Sequence, residues 1–260
     1  MRSNDDSTPT QTHKQAHEAY RHLALVDFPD DLKLGLNLGF YRTFAVPTIA
    51  RVLVSTGKMI GRPKARAKAT GTMMYTLIDN GFHSPAGRET VAALNQLHAR
   101  LPVGNAEFVY VLATFCVTPL RWIDEHGWRH TTTEEKAAAH GFFHGLAQRM
   151  GIQGVPDSYS ALARWMDDFE ERQFAVTEEG RALLEATRGL LSDRFPKLAA
   201  PVVRVATDAL IDARLRAALG ASDRPVVIRW LVTTALRLRA AHLRHQHRGE
   251  LAGKSVSPMQ

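Results

Sequence analysis

Few side chains in this sequence have both the type and the spacing for chemistry, and His98 comes first. Val91, Leu94, His98 and Leu101 recur at three- and four-residue intervals, so on a helix His98 projects where core side chains project. Such a histidine is either a core residue satisfied by a backbone carbonyl or a neutral imidazole aimed into an apolar slot, which is how a rigid helix supplies an axial ligand to haem iron. Arg66 and Thr70 stand four residues apart and share a face of the preceding helix. An arginine and a hydroxyl aimed into one cavity can bind a propionate or hold bound oxygen; the alternative is a surface arginine beside a helix-interior threonine.

Two further constellations have weaker patterns. His140 and His144 form an i, i+4 pair able to share a metal, but no carboxylate completes the site on that helix face, and incidental histidines on an amphipathic helix explain them better. Asp167-Asp168-Phe169-Glu170-Glu171 fits the DDxxE pattern of magnesium-dependent terpene cyclases, yet a solvated helix face reads the same and no companion motif follows downstream. Cys116, the lone cysteine, excludes an intramolecular disulfide and an all-cysteine metal site, and its apolar helix makes a poor setting for a thiolate ligand. Gly-rich phosphate loops, a GxSxG elbow and an HExxH pair are absent from the sequence.

The elements that must position these residues are helical nearly throughout. Residues 1–14 read as a disordered polar tail, and His17–Val26 as a short helix broken by Phe28-Pro29. Asp30 or Asp31 can cap the next helix, which reaches about Leu38 and resumes from Pro47 to Val54. Lys64–Ile78 carries Arg66 and Thr70. Ser84-Pro85 starts the His98 helix, with Pro102 and Gly104 ending it after Leu101. Glu107–Ile123 is apolar on nearly every side and so is expected at the centre. Thr132 and Glu135 form a capping box for a helix ending at Met150, with Gly151 as its cap. Helices over 159–174, 178–194, 201–219 and 225–245 follow, and 249–260 reads as a second disordered tail. The expectation is all-α, a single domain over 15–248.

At 260 residues, 45% hydrophobic and 23% charged, the composition is that of a well-cored globule, which excludes disorder and fibrous repeats. The net charge of +7 is local: from Arg224 onward there are six arginines and one lysine against Glu250 alone. That concentration, with no basic reading element elsewhere, argues against a nucleic-acid partner. Val226, Trp230, Leu231, Thr234, Leu238, Ala241 and His245 form one mostly apolar stripe of the terminal helix. It reads as packed on the domain with its arginines in solvent, contact with an anionic membrane surface being the alternative. The N-terminus lacks a signal-peptide pattern, and no run reaches the about 18 uncharged apolar residues of a span, so cytoplasm is the expected compartment.

Several stretches in order resemble the MpaB-type oxygenases, a bacterial and fungal group sharing its catalytic domain with latex-clearing rubber oxygenases. They are Asp27-Phe-Pro-Asp-Asp31, Gly39 through Pro47, Arg66 with Thr70, Asp79 through Thr90, Asn95-Gln-Leu-His98, Tyr110 through Phe115, Pro119-Leu-Arg-Trp122 and Gly127-Trp-Arg129. The likeness covers about residues 25 to 175. It implies globin-like helical packing around non-covalent haem b, His98 as the proximal iron ligand, and Arg66 and Thr70 near the haem on its distal side. Two departures stand out. The lysine that rubber oxygenases place directly before the threonine is Ala69 here, and Lys68 is about 100° away round the helix. The acid they place one helix earlier is also missing, since Leu32 to Lys58 contains no Asp or Glu; Tyr41 and Arg42 occupy the comparable region as second-rank pocket residues.

The resulting expectation is a haem b-dependent oxidoreductase, an oxygenase acting on a hydrophobic isoprenoid-like or aromatic molecule with O₂ or peroxide. The alternatives are a non-catalytic haem or lipophilic-ligand carrier and an all-α DNA-binding regulator. The last is opposed by the prolines interrupting the first 60 residues.

Overall fold

Gly35 and Gly39, one helical turn apart, determine how the central pair of helices meets. A Cβ on Gly35 would lie 2.3 Å from the Pro119 Cα, and one on Gly39 would lie 2.6 Å from the Thr114 carbonyl oxygen. Only hydrogen at both positions lets the two backbones touch. The helices are α2, Pro29–Arg42, and α7, Asn105–His126. The computed structural model describes residues 8–192, 210–221 and 225–254. No strand occurs among them, and the all-α expectation holds.

Around this pair the remaining helices are α1 (Thr8–His22), α3 (Pro47–Ser55), α4 (Lys58–Gly61), α5 (Pro63–Asn80), α6 (Pro85–His98), α8 (Thr133–Arg149), α9 (Tyr159–Gln173), α10 (Glu178–Ser192), α11 (Ala213–Ala218) and α12 (Val226–Lys254). Local signals act as expected at several ends. The Ser84 hydroxyl accepts from the Gly87 N–H at 2.9 Å, and Thr132 and Glu135 close a reciprocal capping box. Gly151 stops α8 at φ +70°.

Other boundaries differ. The first helix begins at Thr8, inside the segment read as a tail, and passes through a π-helical turn, Leu23–Asp27, before Phe28. Neither Asp30 nor Asp31 caps α2, because Pro29 already occupies its first turn. Asp31 instead turns inward, accepting from the Trp122 indole at 3.1 Å and from Arg239 at 2.8 Å. The His98 helix ends three residues early, making His98 its last residue. Of the helix expected over 201–219, residues 201–209 lie outside the described residues and Ala213–Ala218 is helical. The last helix runs to Lys254, six residues into the segment read as a second tail, while residues 193 and 194 and the parts of the two expected tails at 1–7 and 255–260 lie outside the described residues.

The main core gathers apolar faces of α1, α7, α8 and α9 around Tyr110, Leu120, Phe142 and Met166. Helix α7 lies at its centre, as its all-round apolarity requires. It is also long and apolar enough to cross a membrane by composition, with mean hydropathy 1.3, but two-thirds of that window is buried against protein. Cys116 is buried there, and burial pushes its thiol far above the ordinary range. A second cluster joins Tyr41, Phe44 and Met59 to Leu183, Leu184, Ile211 and Leu215.

Arg42 ties these two cores together. Its guanidinium donates to Glu170 through Nε at 2.6 Å and through a second nitrogen, and it also pairs with Asp212. Glu170 is wholly buried and accepts a third bond from the Tyr110 hydroxyl at 3.0 Å. Burial alone would discharge Arg42, but Glu170 and Asp212 outweigh it and hold it protonated.

The last helix inverts its expected orientation. The stripe read as inward faces solvent, with Trp230 64% and Leu238 67% exposed. The helix packs instead through Leu236 and Ala240. It carries apolar residues on two faces, and the Arg239–Asp31 pair with the Arg244 bond to the Trp128 carbonyl selects the inner one.

The packing and the ion pairs set expectations for stability. Gly35→Ala should lose about 3 kcal/mol or more by chemical denaturation, since two backbones must part. Gly71→Ala in mid-α5, where a Cβ meets nothing within 4 Å, should gain about 0.5–1 kcal/mol. Glu170→Ala should cost about 3–5 kcal/mol by stranding a buried charge, and Asp212→Ala much less because its carboxylate is half exposed. Asp167 is held below the usual carboxylate range by the Arg121 hydrogen bond. Asp212 is also lowered: burial opposes its ionisation, but Arg42 and backbone N–H groups outweigh it. Depressed values stabilise the fold above the unfolded pKa and lose that stability as pH falls. The melting temperature should therefore hold from neutrality to about pH 5 and drop below about pH 4.

Candidate functional site

His98, at the last turn of α6, is half-buried with its ring edge-on to Phe108, centroids 5.7 Å apart. Its Nδ1 lies 2.7 Å from the Leu94 carbonyl oxygen, one turn back. A carbonyl accepts, so Nδ1 carries the proton and Nε2 keeps its lone pair. One nitrogen is thus satisfied by its own backbone, as in a core histidine, and the other keeps a lone pair with no hydrogen-bond partner among the described residues. Burial first, and then the charge of Arg66, lower its pKa and keep the ring neutral at pH 7.

Arg66 and Thr70 do meet. The guanidinium donates to the Thr70 Oγ1, whose own proton goes to the Arg66 carbonyl at 3.1 Å. The two groups therefore brace each other across one turn of α5. Arg66 is half-buried, and it has no carboxylate partner among the described residues; burial lowers its pKa. The three residues singled out in the sequence thus occupy neighbouring surfaces of α5 and α6, with Arg66 close enough for its charge to act on the imidazole.

These two helices are thinly covered. Only Leu77 and Ile78 of α5 and only Gly87 of α6 are buried, and Leu97, one residue before His98, is 47% exposed. Apolar positions along the His98 face, Val91 and Leu94, reach the core only in part. Such a pair of faces can take a flat apolar group without displacing the main core.

Tyr41 and Arg42, expected as pocket residues, are placed elsewhere. Tyr41 is buried in the second core with its hydroxyl 3.3 Å from the Thr187 carbonyl, and Arg42 is committed to Glu170 and Asp212. Partners distant in sequence claimed both side chains. The acidic run at 167–171 does not converge either, since Asp167 bonds Arg121 at 2.7 Å and Glu170 bonds Arg42. His140 Nε2 lies 2.7 Å from the Pro156 carbonyl, with the His144 ring 5.7 Å away. No group of three metal-ligating side chains forms among the described residues.

Sequence reading missed two things. Within the stretch from Leu32 to Lys58 that lacks an acid, Thr48 donates to Glu107 of α7 at 3.0 Å, so a carboxylate arrives from a later helix. A cleft of about 1010 Å³ also opens between α2 and α5, with Phe115 of α7 among its lining residues. Its signal was present as matched periodicity: Lys33, Leu36 and Phe40 on one helix, Lys64, Lys68, Gly71 and Tyr75 on the other. Thr70 lines it as well, while Arg66 and His98 do not.

Comparison with known proteins bears on the family and the fold. The chain is 24% identical over 233 residues to "ER-bound oxygenase mpaB'" of Penicillium brevicompactum, covering 82% of this chain and 55% of that protein. It is 24% identical to the "ER-bound oxygenase mpaB" of Penicillium roqueforti, covering 78% of that protein. The chain thus spans about half the length of the first relative. A solved structure of latex clearing protein LCP in the closed state superposes with a TM-score of 0.72 at 18% identity, covering 89% of this chain and 68% of that one, and shows a shared fold. The expected cytoplasmic compartment is corrected by these relatives, which are named ER-bound and point to membrane association. A missing leader pattern speaks only to one targeting route, not to every way a chain is held at a membrane. Residues 34–243 match the family described as "ER-bound oxygenase mpaB/B'/Rubber oxygenase, catalytic domain", and the chain belongs to that family.

Proposed function

We propose that this chain is a haem b-dependent oxygenase acting on a hydrophobic small molecule, with His98 as the axial ligand of the iron. The observation that carries the reading is the imidazole itself: neutral, oriented by Nδ1 on the Leu94 carbonyl, and presenting an unpartnered Nε2 from a helix end. A second-site hydrogen bond of this kind fixes the tautomer that ligation needs and raises ligand basicity. Arg66 adds a half-buried cation in want of an anion, which suits a propionate. The thinly covered faces of α5 and α6 suit a flat apolar macrocycle.

Haem, when bound, supplies iron at which O₂ or peroxide is activated. The chain's own residues do the rest by position. His98 would hold the iron through a nitrogen whose proton state is preset. Thr70 braces the Arg66 guanidinium, so its remaining N–H groups keep their direction. Phe108 packs edge-on against the imidazole and limits its rotation. Ala69, small and apolar, leaves the neighbouring position of α5 without a competing base.

Protein produced with haem supply should show a Soret band. His98→Ala should abolish or shift it, and Arg66→Ala should loosen haem retention while leaving the band position near that of the parent. A parent without a Soret band, or an identical band in His98→Ala, overturns the ligand assignment. Oxygen uptake with alkenes or phenols separates an oxygenase from a carrier that binds haem without turnover.

The outward face of α12 supports association with an anionic membrane surface. Of the nine large hydrophobic side chains exposed among the described residues, Val226, Val227, Trp230, Leu231 and Leu238 lie on this one helix. Arg237 is exposed on the same helix, and Arg244 stands at its edge with Nε held by the Trp128 carbonyl. An apolar strip carrying a tryptophan and edged by arginines is the make-up of an interfacial helix. Vesicles containing phosphatidylglycerol should sediment the protein and shift tryptophan emission to the blue, less so in high salt. Trp230→Ser with Leu238→Ser should leave it in the supernatant. A concentration-dependent dimer lost in that double variant, without vesicle binding, would assign the face to a second copy.

A further inference from the structure

The cleft between α2 and α5 is a site that the iron ligand does not use. Lys64, Lys68, Gly71 and Tyr75 line it at intervals of four, three and four. Arg66, two positions on from Lys64, is turned about 200° round the helix toward α6, where its charge reaches His98. One helix thus serves two sites on opposite faces, with Thr70 at the margin between them.

The lining divides by polarity. Leu25, Leu36, Phe40, Met74 and Phe115 are its apolar part. Lysines stand on both helical walls, Lys33 on α2 and Lys64 and Lys68 on α5. The carboxylates among the lining residues are Asp30 and Asp79, and Asp79 is already held by Arg21 at 2.9 Å. Lys33 and Lys68 make no ion pair among the described residues. The charge offered to a ligand is therefore positive, beside an apolar lining in a volume suited to one small molecule.

We infer that this cleft binds a single-chain amphiphile with an anionic head, a long-chain carboxylate or phosphate monoester. The chain lies against Leu36, Phe40, Met74 and Phe115, and the head is drawn to a lysine of either wall, Lys33 or Lys68. A neutral alcohol of equal length gains only the apolar contacts. A cationic head meets the lysines and is repelled. This site stands apart from the oxygenase reading, since it depends on neither iron nor turnover.

The test is displacement of the fluorescent probe 11-(dansylamino)undecanoate from the full chain, below micellar concentrations. Dodecanoate and dodecyl phosphate should displace it at about tenfold lower concentration than dodecanol, the worth of one charge-assisted hydrogen bond. Dodecyltrimethylammonium should compete least. The ratio between dodecanoate and dodecyl phosphate distinguishes a free fatty acid from a phosphate-headed lipid as the source. Lys33→Glu with Lys68→Glu, both exposed positions, should erase the preference for an anionic head. Gly71→Trp should block binding of every chain while leaving helical circular dichroism unchanged, because a Cβ there meets open space. The Trp230→Ser, Leu238→Ser variant of α12 should bind the probe as the parent does. Equal displacement by dodecanol, parental affinity in Gly71→Trp, or loss of binding in the α12 variant would each overturn the assignment.

Discussion

The backbone contact between α2 and α7 is the constraint on which the rest depends. With Gly35 and Gly39 against Thr114 and Pro119, the two helices approach more closely than side chains would permit. That contact consumes one face of α2 and sets the direction of its others. Phe40 and Leu36 are thereby turned toward α5, and Arg42 toward Glu170 and Asp212.

Electrostatics decide what packing leaves open. A buried carboxylate such as Asp31 has to be paired, and its partners come from α7 and α12. One ion pair thereby selects the face of α12 that docks and commits the other to solvent. Arg42 plays the same part between the two cores, where it and Tyr110 both donate to one wholly buried glutamate. Neither network includes His98, so the fold is held by charges that the candidate site does not share.

How much of this could be read from sequence varies with the distance over which each feature is decided. The Ser84 cap, the Thr132–Glu135 box and the centrality of α7 are settled within a few residues, and each was legible. His98, Arg66 and Thr70 were legible as a group because helical periodicity and family resemblance both pointed to them. Arg42 was not: its partners lie 128 and 170 residues away, and nothing local distinguishes a propionate clamp from a core ion pair. The orientation of α12 was hidden for the same reason, since two apolar stripes compete and the arbiter, Asp31, is 208 residues distant. The cleft required pairing two helices whose matched spacing becomes meaningful only once they face each other.

Cys116 has a consequence of a different kind. It is the chain's single thiol, buried at the centre of α7 and held in its protonated form. Thiol reagents need a thiolate they can reach, so the folded protein is silent to them. Labelling then proceeds only through openings that part α7 from its neighbours, and its rate measures how often the core breathes. The sequence thus carries a built-in clock for the helix at the centre of the main core.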